Sequence, residues 1–90
     1  MTLEEQDAVL GKLIRERNEL IRERTAIDNE LQPYAELFSR LSGEMTHDRY
    51  SALVTLKKID TLRCADLLGQ WGSVCDKIRD HAKRISEMGG

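Results

Sequence analysis

Residues 13–26 read Leu13-Ile14-Arg15-Glu16-Arg17-Asn18-Glu19 and then Leu20-Ile21-Arg22-Glu23-Arg24-Thr25-Ala26, so five consecutive residues return in the same order seven positions later. A period of seven keeps each repeated position on one side of an α-helix and lays that side along a neighbouring helix. It aligns Leu13, Leu20 and Ile27, and the line continues through Tyr34 and Leu41. With Leu3 at heptad position a, the a positions are Leu3, Leu10, Arg17, Arg24, Leu31 and Phe38, and the d positions are Gln6, Leu13, Leu20, Ile27, Tyr34 and Leu41. Val9, Ile14 and Ile21 flank this seam. The apolar face is therefore wider than a two-stranded coil requires, which favours burial against more than one helix.

The rest of the composition agrees with helices. Of the 90 residues, 33% are charged and only 4% aromatic, with one Pro and six Gly, so strands and tight turns have few places to begin. An all-α chain forming a single domain is expected. Thr2 and Glu5 have the spacing of a capping box and start the first helix, expected over about 2–42. Pro33 lies inside it, and because the apolar register survives beyond the proline, a kink is expected there rather than a break. Ser42 and Gly43 read as a stop, residues 43–47 as the loop, and about 48–87 as a second helix capped near Thr46 to Asp48. The second helix carries the stripe Cys64, Leu68, Trp71, Cys75, Ile78, Ala82 and Ile85, with Leu53, Leu56, Leu67 and Val74 to one side.

Two arms of equal length around one short loop predict an antiparallel helical hairpin. Its broad faces leave apolar edges in water, and two copies packed together would hide them in a four-helix bundle. The expected packing residues are Leu10, Leu13, Leu20, Ile27, Leu31, Leu68, Trp71, Cys75, Ile78 and Ile85, with Trp71 read as core ahead of interface anchor. Arg17 and Arg24 occupy seam positions where apolar residues are usual. They are read as setting register and orientation, paired with Glu16, Glu23 or Glu30, ahead of gripping an anionic group.

Chemistry is hard to find. Cys64 and Cys75 stand eleven residues apart, about 16 Å along a helix, which is out of disulfide range. Free thiols suit a reducing compartment, and with no signal peptide or transmembrane run the expected location is cytoplasmic. His47 and His81 fall far apart in a hairpin, and His81 reads as solvated or capping, so no metal and no cofactor is expected. No base stands beside a candidate nucleophile and no phosphate loop is present, so no enzyme is expected. The net charge is −2, and the basic residues from Lys57 to Arg84 are interrupted by four Asp, which argues against nucleic acid. Acids on the polar faces argue against a membrane surface.

Arg17 and Arg24 invite comparison with the all-helical chorismate mutases, small dimers that bind a dicarboxylate through arginines, which the chain resembles in length and helix pattern only. The resemblance implies a helical enzyme as a remote alternative, and it carries over no active-site position. The main expectation is a non-enzymatic protein-binding module acting by helix packing, as a structural subunit or scaffold, in a homodimer or a hetero-complex. The alternative is a small adaptor or inhibitor, of the kind a phage or virus encodes, that blocks a host protein.

Overall fold

The computed structural model describes residues 2–88 and is all-helical, with no strand among those residues: α1 spans Leu3–His47, α2 Arg49–Lys58 and α3 Thr61–Glu87. Both α2 and α3 pack against α1. The 45 residues of α1 account by themselves for the long dimension of a body measuring 67 × 18 × 15 Å. The radius of gyration is 19.9 Å, against about 12 Å for a compact domain of this length. The molecule is therefore a rod with little interior.

Each helix begins at a side-chain cap. The Thr2 hydroxyl accepts the Glu5 N–H at 3.2 Å, the Asp48 carboxylate accepts the Ser51 N–H at 3.2 Å and its Oγ–H at 2.7 Å, and the Asp60 carboxylate accepts the Arg63 N–H at 3.0 Å. Each cap satisfies a donor that the first helical turn would otherwise leave unbonded.

Two boundaries differ from the sequence expectation. The first helix does not stop at residue 42, and residues 43–47 are helix rather than loop. Nothing in the chain meets the space beside Gly43, and the Arg40–Glu44 pair, with Nε 2.6 Å from Oε1, ties the last turns together. The turn is made at Asp48, whose extended backbone donates its N–H to the Glu44 carbonyl while its side chain caps α2. The second arm is not one helix over 48–87 but two. It breaks at Ile59, which is extended and buried, and at Asp60, whose cap restarts the helix. α1, by contrast, runs through Pro33 without ending.

The core is a thin line. Leu13, Ile27, Ala52, Ile59, Cys64, Leu67 and Val74 are the buried apolar residues. Ile27, Leu67 and Val74 form its centre, with Leu20, Leu31, Tyr34 and Ile78 packed around them. Thr55 is also buried, and its hydroxyl donates to Glu44 at 2.7 Å.

Along α1 the less exposed positions include Leu10, Leu13, Arg17, Leu20, Arg24, Ile27, Leu31 and Tyr34, which is the predicted a/d seam, and beside it Gly11, Ile14, Glu16 and Ile21. Beyond Tyr34 the seam steps sideways to Leu37, Leu41 and Glu44, leaving Phe38 and Met45 exposed. The step falls where the helix facing α1 changes from α3 to α2.

Candidate functional site

The chemistry of this molecule lies in how the two flanks of the seam differ. Three polar links join α1 to the other helices: Glu16 to His81 at 2.9 Å, Glu30 to Arg63 at 3.2 Å and Glu44 to Thr55 at 2.7 Å. Their α1 members stand fourteen residues apart and all occupy heptad position g, so the three links lie on one flank. Their partners descend through α3 and α2 as the glutamates ascend through α1.

The opposite flank is built from e positions of α1, where Ile14, Ile21 and Ala35 stand along with Asp7, Asp28 and Ser42. Among the described residues it carries no polar link between helices. From Leu31 onward it is apolar and open. Leu31, Tyr34, Ala35 and Phe38 of α1 line a groove of about 200 Å³ with Cys64 and Leu68 of α3. Further along, Leu41 and Met45 line a second groove of about 430 Å³ with Arg49, Ala52, Leu53 and Leu56. Helical periodicity places Phe38, Leu41 and Met45 on the same side of α1, so the two grooves open on the same side of that helix.

This arrangement sorts the residues singled out from sequence. Leu13 and Ile27 are buried, and Leu10, Leu20, Leu31, Cys75, Ile78 and Ile85 are half-buried. Leu68 is 53% exposed and Trp71 38% exposed, so within one chain Trp71 is not the core residue it was expected to be. The α3 seam against α1 runs Cys64, Leu67, Val74, Ile78, His81, Ile85 and Met88. It shares Cys64, Ile78 and Ile85 with the expected stripe but takes Leu67, Val74 and His81 in place of Leu68, Cys75 and Ala82. α3 is apolar over an arc wide enough for two stripes, and only one of them is used against α1. Charge marks the side of the arc that meets α1, since Arg63 reaches Glu30 and His81 reaches Glu16 from it.

Arg17 and Arg24 are half-buried in the seam as their positions require, but the expected pairing with Glu16, Glu23 or Glu30 is not formed. Glu16 goes to His81 and Lys12, and Glu30 to Arg63, because the g carboxylates turn outward to the flank while the a positions face the seam. The Nε of Arg17 is buried and without a hydrogen-bond partner among the described residues. Both cysteines are free; Cys64 is buried and Cys75 half-buried beside Leu68.

His81 is neither solvated nor a cap. Its side chain is only 16% exposed, with Nε2 2.9 Å from a Glu16 carboxylate oxygen and Nδ1 2.8 Å from the Lys77 carbonyl oxygen. Both neighbours accept, so the ring fits best when both nitrogens carry protons, as imidazolium. The Glu16 hydrogen bond, followed by that to Lys77, raises the His81 pKa above its ordinary 6.5 against opposition from burial and Arg84. The same bond to His81 is the main influence holding Glu16 below 4.5, helped by the charges of Lys12 and Arg84. A raised histidine pKa contributes stability that is present below the unfolded value and lost as pH climbs through the folded one. A lowered carboxylate pKa contributes stability that is lost as pH falls below 4.5. The pair is thus strongest from about pH 4.5 to 6.5. The thermal midpoint should fall between pH 6.5 and 8.5 in the wild type and lose most of that slope in His81→Gln. Equal slopes in the two proteins would show that the contact carries no linkage.

No family model, curated protein or solved structure matches the chain. Among the described residues no group of three or more His, Cys, Asp or Glu is placed to hold a metal ion, and no helix is long and apolar enough to cross a membrane.

Proposed function

We propose that the chain is an antiparallel helical hairpin working as a non-enzymatic interaction module, and that its open flank is the working surface. The observation that carries this is the asymmetry of the seam. One flank is closed by charged and hydrogen-bonded pairs, whereas the other presents Phe38 and Leu68 to solvent along an apolar groove, with Trp71 exposed on the next turn of α3. Contiguous apolar surface of this kind on a small chain marks a place where another surface docks. The mechanism is occupancy: a helical partner lays its own apolar ridge into the groove and completes a bundle that the hairpin only half encloses. A central Trp with Leu and Phe neighbours is the composition expected of an interface anchor.

The test is site-specific photo-crosslinking in cells that produce the chain. A photoreactive residue at position 68 should give adducts, to whatever protein occupies the flank, while the same residue at position 23 on the closed flank should give few. Absent adducts at 68, or equal yields at both positions, would refute the reading.

A further inference from the structure

We infer that His81 is a proton-operated clasp, holding the outer end of α3 against α1 while its ring is doubly protonated and freeing that end when the ring loses a proton. The inference concerns the closed flank, and it stands whether or not anything occupies the open one.

The end that the clasp serves has little else to hold it. The centre of the core, Ile27 with Leu67 and Val74, lies near the midpoint of α1. Beyond Val74 no described residue of α3 is buried: Ile78, His81, Ile85 and Met88 are half-buried. On α1, Leu13 is the one buried residue between Leu3 and Leu20. Among the described residues, Glu16 to His81 is the one polar link between the helices over this stretch.

The link needs the proton for a geometric reason. Nε2 lies 2.9 Å from a Glu16 oxygen and Nδ1 lies 2.8 Å from the Lys77 carbonyl oxygen. A neutral imidazole carries a single N–H, so its other nitrogen would turn a lone pair toward an oxygen. With 16% of the side chain exposed, water has little room to mend that mismatch. The charged groups on the faces that meet here are Glu16, Lys12 and Arg17 from α1 and Lys77 and Arg84 from α3. None of these residue types titrates between pH 6 and 8.5. His47, the second histidine, stands at the far end of α1.

The remaining links are guanidinium to carboxylate at Arg63 and hydroxyl to carboxylate at Thr55, pairings that do not change over the same range. One end of the rod therefore answers to pH, and the middle and the other end do not. Protonation and closure are coupled, so the raised His81 pKa and the opening of this end as pH climbs are one effect. The end is closed below pH 6.5 and opens as pH rises through the folded value.

Amide hydrogen exchange, divided by the intrinsic rate at each pH, reads the opening residue by residue, because a freed arm of about ten residues frays without its packing. Protection at residues 82–87 should fall about two- to ten-fold from pH 6 to pH 8.5, the net worth of one hydrogen bond, while residues 66–74 keep theirs. His81→Gln and Glu16→Gln should each abolish the pH dependence at 82–87. His81→Arg, which keeps a cation facing Glu16, should leave the end protected at both pH values. If one variant fails to fold, the others decide. Unchanged wild-type protection at 82–87 overturns the inference, as does a fall that persists in His81→Gln. An equal fall at 66–74 also overturns it, since the whole rod would then loosen with no clasp at its end.

Discussion

Leu67→Ala should lower the thermal midpoint by on the order of 15–20 °C, the largest loss expected from any single truncation in this chain. Leu67 is 1% exposed and lies between Ile27 and Val74 at the centre of the core. Removing three carbons from such a site forfeits their transfer free energy and leaves a cavity, together about 2–5 kcal/mol. A rod with so few buried residues has little else to compensate, and each 1 kcal/mol moves the midpoint of a domain this size by about 4–8 °C. The control is a neighbour in the same helix. Leu62 is 84% exposed, so Leu62→Ala should change the midpoint by no more than a degree or two. Calorimetry of both variants decides: similar losses would mean that α3 does not meet α1 along Leu67 and Val74.

Pro33→Ala should act in the opposite direction, raising the midpoint by on the order of 10 °C. Pro33 sits inside α1 with its ring exposed, so replacing it removes no buried contact. What it restores is a backbone N–H for the Asn29 carbonyl and relief of the clash between ring and preceding turn, a penalty of about 3 kcal/mol in a helix interior. Part of that gain is expected to be lost in easing the neighbouring contacts, leaving about 2 kcal/mol. A midpoint that stays level or drops would show that the proline is needed where it stands. It lies one residue before Tyr34, the last position before the seam steps from Phe38 to Leu37 and α1 passes from α3 to α2.

How far the fold could be read from sequence depends on the element. The α1 seam was legible from Leu10 to Tyr34 because the heptad repeat states the buried face directly and one helix, α3, faces all of it. After Tyr34 the facing helix changes and the repeat no longer predicts which residue turns inward. The break at Ile59 and Asp60 carried its own signal, a capping Asp followed by Thr, but the apolar positions on either side continue without interruption and concealed it. Gly43 misled in the reverse sense, since a glycine stops a helix only where the chain takes up the turn it permits, and here the turn belongs to Asp48. The open flank was foreshadowed by Ile14 and Ile21, apolar residues in excess of what one seam uses. Which stripe of α3 would be left outside was not legible from hydrophobicity, because Leu67 with Val74 and Leu68 with Cys75 serve a helical period equally well. His81 was misplaced for the same reason: its position follows from the side of α3 that meets α1, and that side is marked by Glu16, Glu30 and their partners.

The two stripes of α3 lie one residue apart, so a roll of about 100° about the helix axis would exchange them. That roll would put Leu68 and Cys75 where Leu67 and Val74 stand, and would carry Arg63 and His81 away from Glu30 and Glu16. Hydrophobicity brings the helices together, and a few ion pairs, weak in their own right and weaker still as salt rises, help choose which face of the assembled rod the outside world meets. In this chain the links of one flank and the burial of Leu67 and Val74 point the same way, so the surface that faces outward is fixed by charge and by packing together.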